Sequence, residues 1–178
     1  MPKQLKIDPQ KCIGCKSCEL ACSLKNETTF NPAVSRISSI TFIEGTYSLP
    51  YNCVTTCRQC ADAPCLASCP AKAISRGKGD TKVVAIDRDK CIGCGVCIGS
   101  CPFGAMRFDA AAKKAFKCEL CGGNPVCAQM CPTGAIIFAG KRAFYAQPED
   151  SQLQAYSILL QRNQASIRKK SEKKGEGI

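Results

Sequence analysis

Cys91-Ile92-Gly93-Cys94-Gly95-Val96-Cys97-Ile98-Gly99-Ser100-Cys101, followed by Pro102, decides how the chain is read. Four thiols fall within eleven residues, spaced by two, two and three, and a proline closes the run. Three thiolates this close on a tight loop can bind three irons of one cubane, and the fourth sits a helical turn further on and points elsewhere. Pro102 has no backbone N–H and a fixed φ, so the chain turns sharply away after Cys101.

The pattern occurs four times. The first block is Cys12, Cys15, Cys18 and Cys22, with the same spacing as the block at Cys91, although Ser23 rather than proline follows it. The second block is Cys57, Cys60, Cys65, Cys69 and Pro70, and the fourth is Cys118, Cys121, Cys127, Cys131 and Pro132, both with a longer middle gap. Ile-Asp-x-x-Lys-Cys-Ile-Gly-Cys-x-x-Cys begins at both Ile7 and Ile86, an internal duplication of a strand running into a ligand loop. Gly14 and Gly93 suit a loop whose backbone N–H groups turn toward sulfur.

Seventeen cysteines in 178 residues imply either a disulfide scaffold or a metal protein. Met1-Pro2-Lys3-Gln4-Leu5-Lys6 has no apolar signal core, and no apolar run approaches a membrane span, so a reducing, cytoplasmic setting is expected. There the cysteines are metal ligands. Zinc sites use ligand pairs separated by a finger-length loop, whereas two of these blocks hold three cysteines in seven residues and the chain has no histidine. Iron–sulfur cubanes fit better. The formal charge of +11 invites a nucleic-acid reading. Four cubanes with their thiolates bring about −8, leaving a net charge near +3. With no tryptophan and few aromatic residues to stack on bases, a nucleic-acid partner is not expected.

Between the first two blocks, alternation over residues 36–44, a turn at Gly45 and a strand-like stretch at 46–51 predict a β-hairpin inserted at about 36–52. Residues 76–82 read as a polar turn, and 83–86 as a strand entering the third block. Cys69–Ile74, Cys101–Met106 and Cys131–Ile136 each read as a turn feeding a short strand that covers metal with apolar side chains. Cys53 is left outside the tetrads and is expected to be a buried small apolar residue. After Lys141 the character changes. Leu153, Tyr156, Leu159, Leu160 and Ile167 recur at near-helical spacing, so residues 149–170 are expected to form an amphipathic helix before a basic tail.

Across residues 5–140 this layout resembles the four-cluster ferredoxin-like subunits of bacterial and archaeal redox complexes. They include the iron–sulfur subunits of dimethyl-sulfoxide-reductase type and those of hydrogenases, carbon monoxide dehydrogenase and tungsten aldehyde oxidoreductases. The resemblance implies an α+β fold of two pseudo-twofold related, bacterial-ferredoxin-like units. A hairpin insertion and a C-terminal helix, both read from the sequence and the helix lying outside the resemblance, complete it, with domain bounds of 1–147 and 148–178. It also implies that the first block pairs with the fourth and the second with the third. Four [4Fe–4S] clusters would then sit on Cys12, Cys15, Cys18 and Cys131; on Cys22, Cys118, Cys121 and Cys127; on Cys57, Cys60, Cys65 and Cys101; and on Cys69, Cys91, Cys94 and Cys97.

No histidine, phosphate loop or nucleophile motif offers a catalytic site, so the expected role is one-electron transfer without catalysis of its own. A fixed subunit serving a catalytic oxidoreductase is favoured over a diffusing polyferredoxin, because the hairpin and C-terminal helix provide more surface than metal binding requires. The compact connections fit the small subunits of tungsten aldehyde oxidoreductases, carbon monoxide dehydrogenase and hydrogenases, and the first is the favoured partner. Carbon monoxide dehydrogenase, hydrogenase and molybdopterin enzymes are alternatives, and a zinc-dependent nucleic-acid-binding module is the reading from another class. The C-terminal helix either packs on its own core or docks onto a catalytic subunit or another copy of the chain.

Overall fold

A computed structural model describes residues 3–42, 51–77 and 82–140. Four two-stranded antiparallel pairs organise them. β1 (Gln4–Ile7) leads into the first cysteine block, and β2 (Ile37–Phe42) follows it. β3 (Tyr51–Thr56) enters the second block and β4 (Ile74–Arg76) leaves it. β5 (Val84–Ile86) and β6 (Arg107–Asp109) flank the third, and β7 (Lys114–Phe116) and β8 (Ile136–Ala139) flank the fourth. The strand leaving each block pairs with the strand entering the next, as β2–β3, β4–β5 and β6–β7, and β8 returns to pair with β1. The result is a closed cycle of four ligand blocks joined by four strand pairs, a small mixed α and β fold.

Helices lie inside the blocks. α1 (Ser17–Glu27) carries Cys18 and Cys22, and α2 (Pro64–Ala67), α3 (Val96–Gly99) and α4 (Val126–Gln129) are single turns. Helices of one turn are not stable alone in water, and isolated strand pairs are marginal. Packing supplies part of what holds them. One core joins Ile37, Val54 and Ile136 to Cys18, Cys22 and Cys127, with Leu5, Ile7, Cys12 and Cys131 at its edge. The other joins Ala63, Ile74, Val84, Ile86, Met106 and Ala115 to Cys97, with Cys65, Cys69, Cys91 and Cys101 packed against it. Burying each isoleucine or valine is worth about 1.5–3 kcal/mol, and cores this small leave the ligand bonds a large share of the stability.

The strands expected behind Cys69, Cys101 and Cys131 form as β4, β6 and β8, with Ile74, Met106 and Ile136 buried. The expected hairpin differs in extent: β2 pairs with a strand that runs on to Thr56, immediately before Cys57. Its topological position matches that of β6–β7 in the second half of the chain, so it is an enlarged version of a repeated connection rather than an insertion. Cys53 lies in β3 opposite Ile40 and is half-buried, not buried as expected, because β2–β3 is packed on one side only. The turn at Gly45, the strand over 46–50, most of the polar turn at 76–82, the 147/148 boundary and the C-terminal helix lie outside the described residues.

Candidate iron–sulfur sites

The four blocks share one local geometry. The third residue of each is left-handed: Gly14 at φ 70°, Gln59 at 51°, Gly93 at 72° and Leu120 at 57°. This conformation turns backbone N–H groups back toward the preceding cysteine. The Gln59 N–H reaches Cys57 Sγ at 3.5 Å and the Leu120 N–H reaches Cys118 Sγ at 3.5 Å. Two glycines are also needed for space. A Cβ on Gly14 would meet Asn52 Oδ1 at 2.7 Å, and one on Gly93 would meet the Lys113 carbonyl oxygen at 2.3 Å. Each Cys-Ile-Gly-Cys loop therefore rests against a hairpin, the first on β2–β3 and the third on β6–β7.

The fourth cysteine of each block leaves its own loop. Cys22, one helical turn beyond Cys18, lies beside Cys127 with Cys118 and Cys121 nearby. Cys12 and Cys15 face Cys18, and Cys131 packs into the same core as Cys12 and Cys18. Cys57, Cys60, Cys65 and Cys101 line an open cavity of about 390 Å³ together with Pro64, Val84 and Met106. Cys69, Cys91, Cys94 and Cys97 line another of about 350 Å³ with Ile74, Ile86 and Ala115. Thiols from different blocks are thus neighbours, Cys22 with Cys127 and Cys57, Cys60 and Cys65 with Cys101. α1 packs on α4 and α2 on α3; α1 carries Cys22, while Cys69, Cys101 and Cys131 lie just beyond α2, α3 and α4.

Neighbouring groups of thiols touch: Cys18 acts on Cys127, and Cys65, Cys69, Cys91, Cys97 and Cys101 border one core. Cys118 interacts with Cys57, which brings the second and third sets side by side. Cys15 and Cys94 are exposed, next to Ile13 and Ile92, which are 65% and 68% exposed.

All seventeen cysteines are free of disulfides, and the donor set suits iron–sulfur chemistry. Burial pushes the Cys18 thiol up to about 12, and the neighbouring Glu19 adds to this. Burial and the neighbouring Cys118 push the Cys127 thiol up as well. A hydrogen bond from Ser17 lowers the exposed Cys15. Thiols buried this deeply keep their protons until a cation takes their place, and metal binding supplies one. The Arg36 N–H and Asn26 Nδ2 donate to Cys22 Sγ at 3.2 and 3.5 Å, ready to stabilise a thiolate. Among the described residues no group of three or more His, Cys, Asp or Glu side chains converges on a single-ion site. A cubane requires no such convergence, since its four ligands bond four different irons.

Sequence reasoning did not single out the polar residues packed between these sets. Lys117 is 1% exposed, and Gln59, Thr56 and Glu19 are buried. Gln59 Nε2 donates to the Cys118 carbonyl at 2.9 Å, while its Oε1 accepts from the Val84 N–H at 2.8 Å. The available signal was position. Thr56 and Lys117 each directly precede the first cysteine of an expanded block.

Comparison with known proteins agrees with this geometry. Residues 49–141 match the family described as 4Fe-4S dicluster domain, and residues 5–23 match the 4Fe-4S binding domain. The polyferredoxin-like subunit of an aliphatic sulfonate oxidoreductase from Pyrococcus furiosus is 40% identical over 67% of this chain and 65% of its own length. Two proteins of Escherichia coli K12 each match 68% of this chain and 77% of their own length. They are the putative electron transport protein YsaA at 40% identity and the electron transport protein HydN at 37%. The chain spans just under two thirds of the Pyrococcus relative. No helix among the described residues is long and apolar enough to cross a membrane. With a family match over more than half its length, the chain belongs to the 4Fe-4S dicluster domain family, whose relatives here are electron-transport proteins, and it binds multiple [4Fe–4S] clusters.

Proposed function

We propose that the chain carries four [4Fe–4S] clusters and relays electrons between a catalytic oxidoreductase subunit and a second redox partner. The proposed ligand sets are Cys12, Cys15, Cys18 and Cys131; Cys22, Cys118, Cys121 and Cys127; Cys57, Cys60, Cys65 and Cys101; and Cys69, Cys91, Cys94 and Cys97. Bound clusters supply reversible one-electron oxidation and reduction. The protein holds the thiolates, buries Cys18, Cys22, Cys97, Cys118 and Cys127 and directs N–H groups at sulfur, the factors that adjust cluster potentials. The observation that carries this reading is the neighbouring groups of thiols with two exposed cysteines, Cys15 and Cys94, among them. A relay needs two exits. The exposed Ile13 and Ile92 give each exit an apolar contact point for a partner.

The proposed catalytic partner is a tungsten-dependent aldehyde oxidoreductase. Support comes from the short connections between blocks and from the Pyrococcus relative, which its name makes a polyferredoxin-like subunit of an oxidoreductase. Anaerobic purification should give a brown protein with about 16 iron atoms per chain, four for each set. Metal analysis of the copurified native complex for tungsten, molybdenum or nickel identifies the partner. A colourless protein containing zinc overturns the whole reading, and nickel in place of tungsten overturns the choice of enzyme.

A further inference from the structure

Lys117 is the largest fully buried side chain of the described residues, at 1% exposed. Its Nζ donates to the Val84 carbonyl and, at 2.9 Å, to the Cys118 carbonyl. Among the described residues no carboxylate pairs with it. Two carbonyl dipoles do not neutralise an ammonium ion, and burying an uncompensated charge is costly. The nearest anionic group must therefore do so. Lys117 lines the cavity of Cys57, Cys60, Cys65 and Cys101, and its charge acts on the Cys65 thiol.

The equivalent position in the other expanded block behaves differently. Thr56 precedes Cys57 as Lys117 precedes Cys118, and it too is buried. Its hydroxyl donates to the Arg36 carbonyl at 3.4 Å and lies against the Cys118 thiol, whose pKa it lowers. Each residue thus reaches across to the other block's ligand set, one with a neutral hydroxyl and the other with a full positive charge. The two sets share their loop geometry and lie side by side, and this pair of residues makes their electrostatics unequal. A buried positive charge favours an additional electron nearby, and in a dry site it is only weakly screened.

We propose that Lys117 acts as a positioning charge that raises the reduction potential of the cluster held by Cys57, Cys60, Cys65 and Cys101 above that of its neighbour on Cys22, Cys118, Cys121 and Cys127. This rests on the ligand sets proposed above. The relay is then biased internally: an electron passing between the halves of the chain moves downhill toward the Lys117 side. Gln59, which bonds the Val84 N–H and the Cys118 carbonyl, holds the same two backbone segments that receive the Lys117 ammonium, so the charge is fixed relative to both sets.

The test uses the full chain purified anaerobically, with iron content and the midpoint potential of each cluster followed by electron paramagnetic resonance. Wild-type iron content comes first: fewer than four clusters there undermines the proposed function before any variant is compared. In Lys117→Met we expect wild-type iron and one midpoint potential moved to a more negative value. The moved signal should be the one altered in Cys65→Ser, and Lys117→Arg should return it toward wild type. Unchanged potentials with full iron, or an equal shift in Lys117→Arg, overturn the proposal. If Lys117→Met loses iron, Lys117→Gln replaces it, keeping a donor without the charge. A negative shift in that variant supports the proposal. Loss of iron in both neutral variants makes Lys117 a structural brace and overturns it.

Discussion

Ile7 lies opposite Ile136 in an antiparallel ladder, so the strand entering the first cysteine block is paired with the strand leaving the fourth. Cys12 and Cys131 are carried into the same core by this pairing. If they share a cluster, Cys131→Ser damages the cluster of the first block, and Cys22→Ser damages that of the fourth. Spectra in which each substitution disturbs the cluster of its own block contradict the crossed arrangement.

Gly93 has a left-handed φ, and the Lys113 carbonyl lies 2.3 Å from where a Cβ would stand. The backbone term alone costs about 1–2 kcal/mol, and the clash adds to it by separating the third loop from β6–β7. Gly93→Ala should therefore lose the iron bound by the third block or lose its visible absorbance at lower guanidinium concentration. Gly99→Ala, where nothing lies within 4 Å, is the control and should behave as wild type.

Arg36 bridges Glu27 at 3.4 Å and Glu119 at 3.8 Å, joining α1 to the fourth block with its side chain only 13% exposed. Arg88 also bridges two carboxylates, Glu27 and Asp109, but its side chain is 35% exposed. Water screens the second pair more strongly. Arg36→Ala should cost about 1–3 kcal/mol, and Arg88→Ala less than about 1 kcal/mol. Guanidinium titration of the visible absorbance ranks the two, and the reverse order would show that exposure does not govern this network.

Cys53 faces Ile40 across β2–β3 and belongs to none of the four sets. Cys53→Ala should leave iron content unchanged at a cost of about 1 kcal/mol. Loss of four irons per chain would mean that the ligands of the second block are wrongly assigned.

The apolar stripe of Leu153, Tyr156, Leu159, Leu160 and Ile167 gives the C-terminal segment an assembly test. Deleting residues 149–178 should leave the iron in place and release the chain from its partner or from further copies of itself, as read by light scattering. Cluster loss or aggregation of the truncated chain would make this segment part of the core.

The number and type of the candidate ligands were legible in sequence alone, because the chemistry of a thiolate depends on the residue and tight spacing leaves little freedom within a loop. The same holds for the strands behind Cys69, Cys101 and Cys131, where a proline turn followed by apolar residues has few alternatives. Left-handed backbone was legible at Gly14 and Gly93, where glycine announces it, but not at Gln59 and Leu120. Those two residues accept a backbone strain of about 1–3 kcal/mol because the surrounding loop leaves them no other conformation. The end of β3 at Thr56 was set by pairing with Ile37 rather than by its own alternation. Only the tertiary structure could decide which blocks stand next to each other and what lies between them. In sequence Lys117 is one of many basic residues. Between Val84, Cys118 and the Cys65 set it becomes a buried charge, since burial and the distance to an anion are properties of the packed chain.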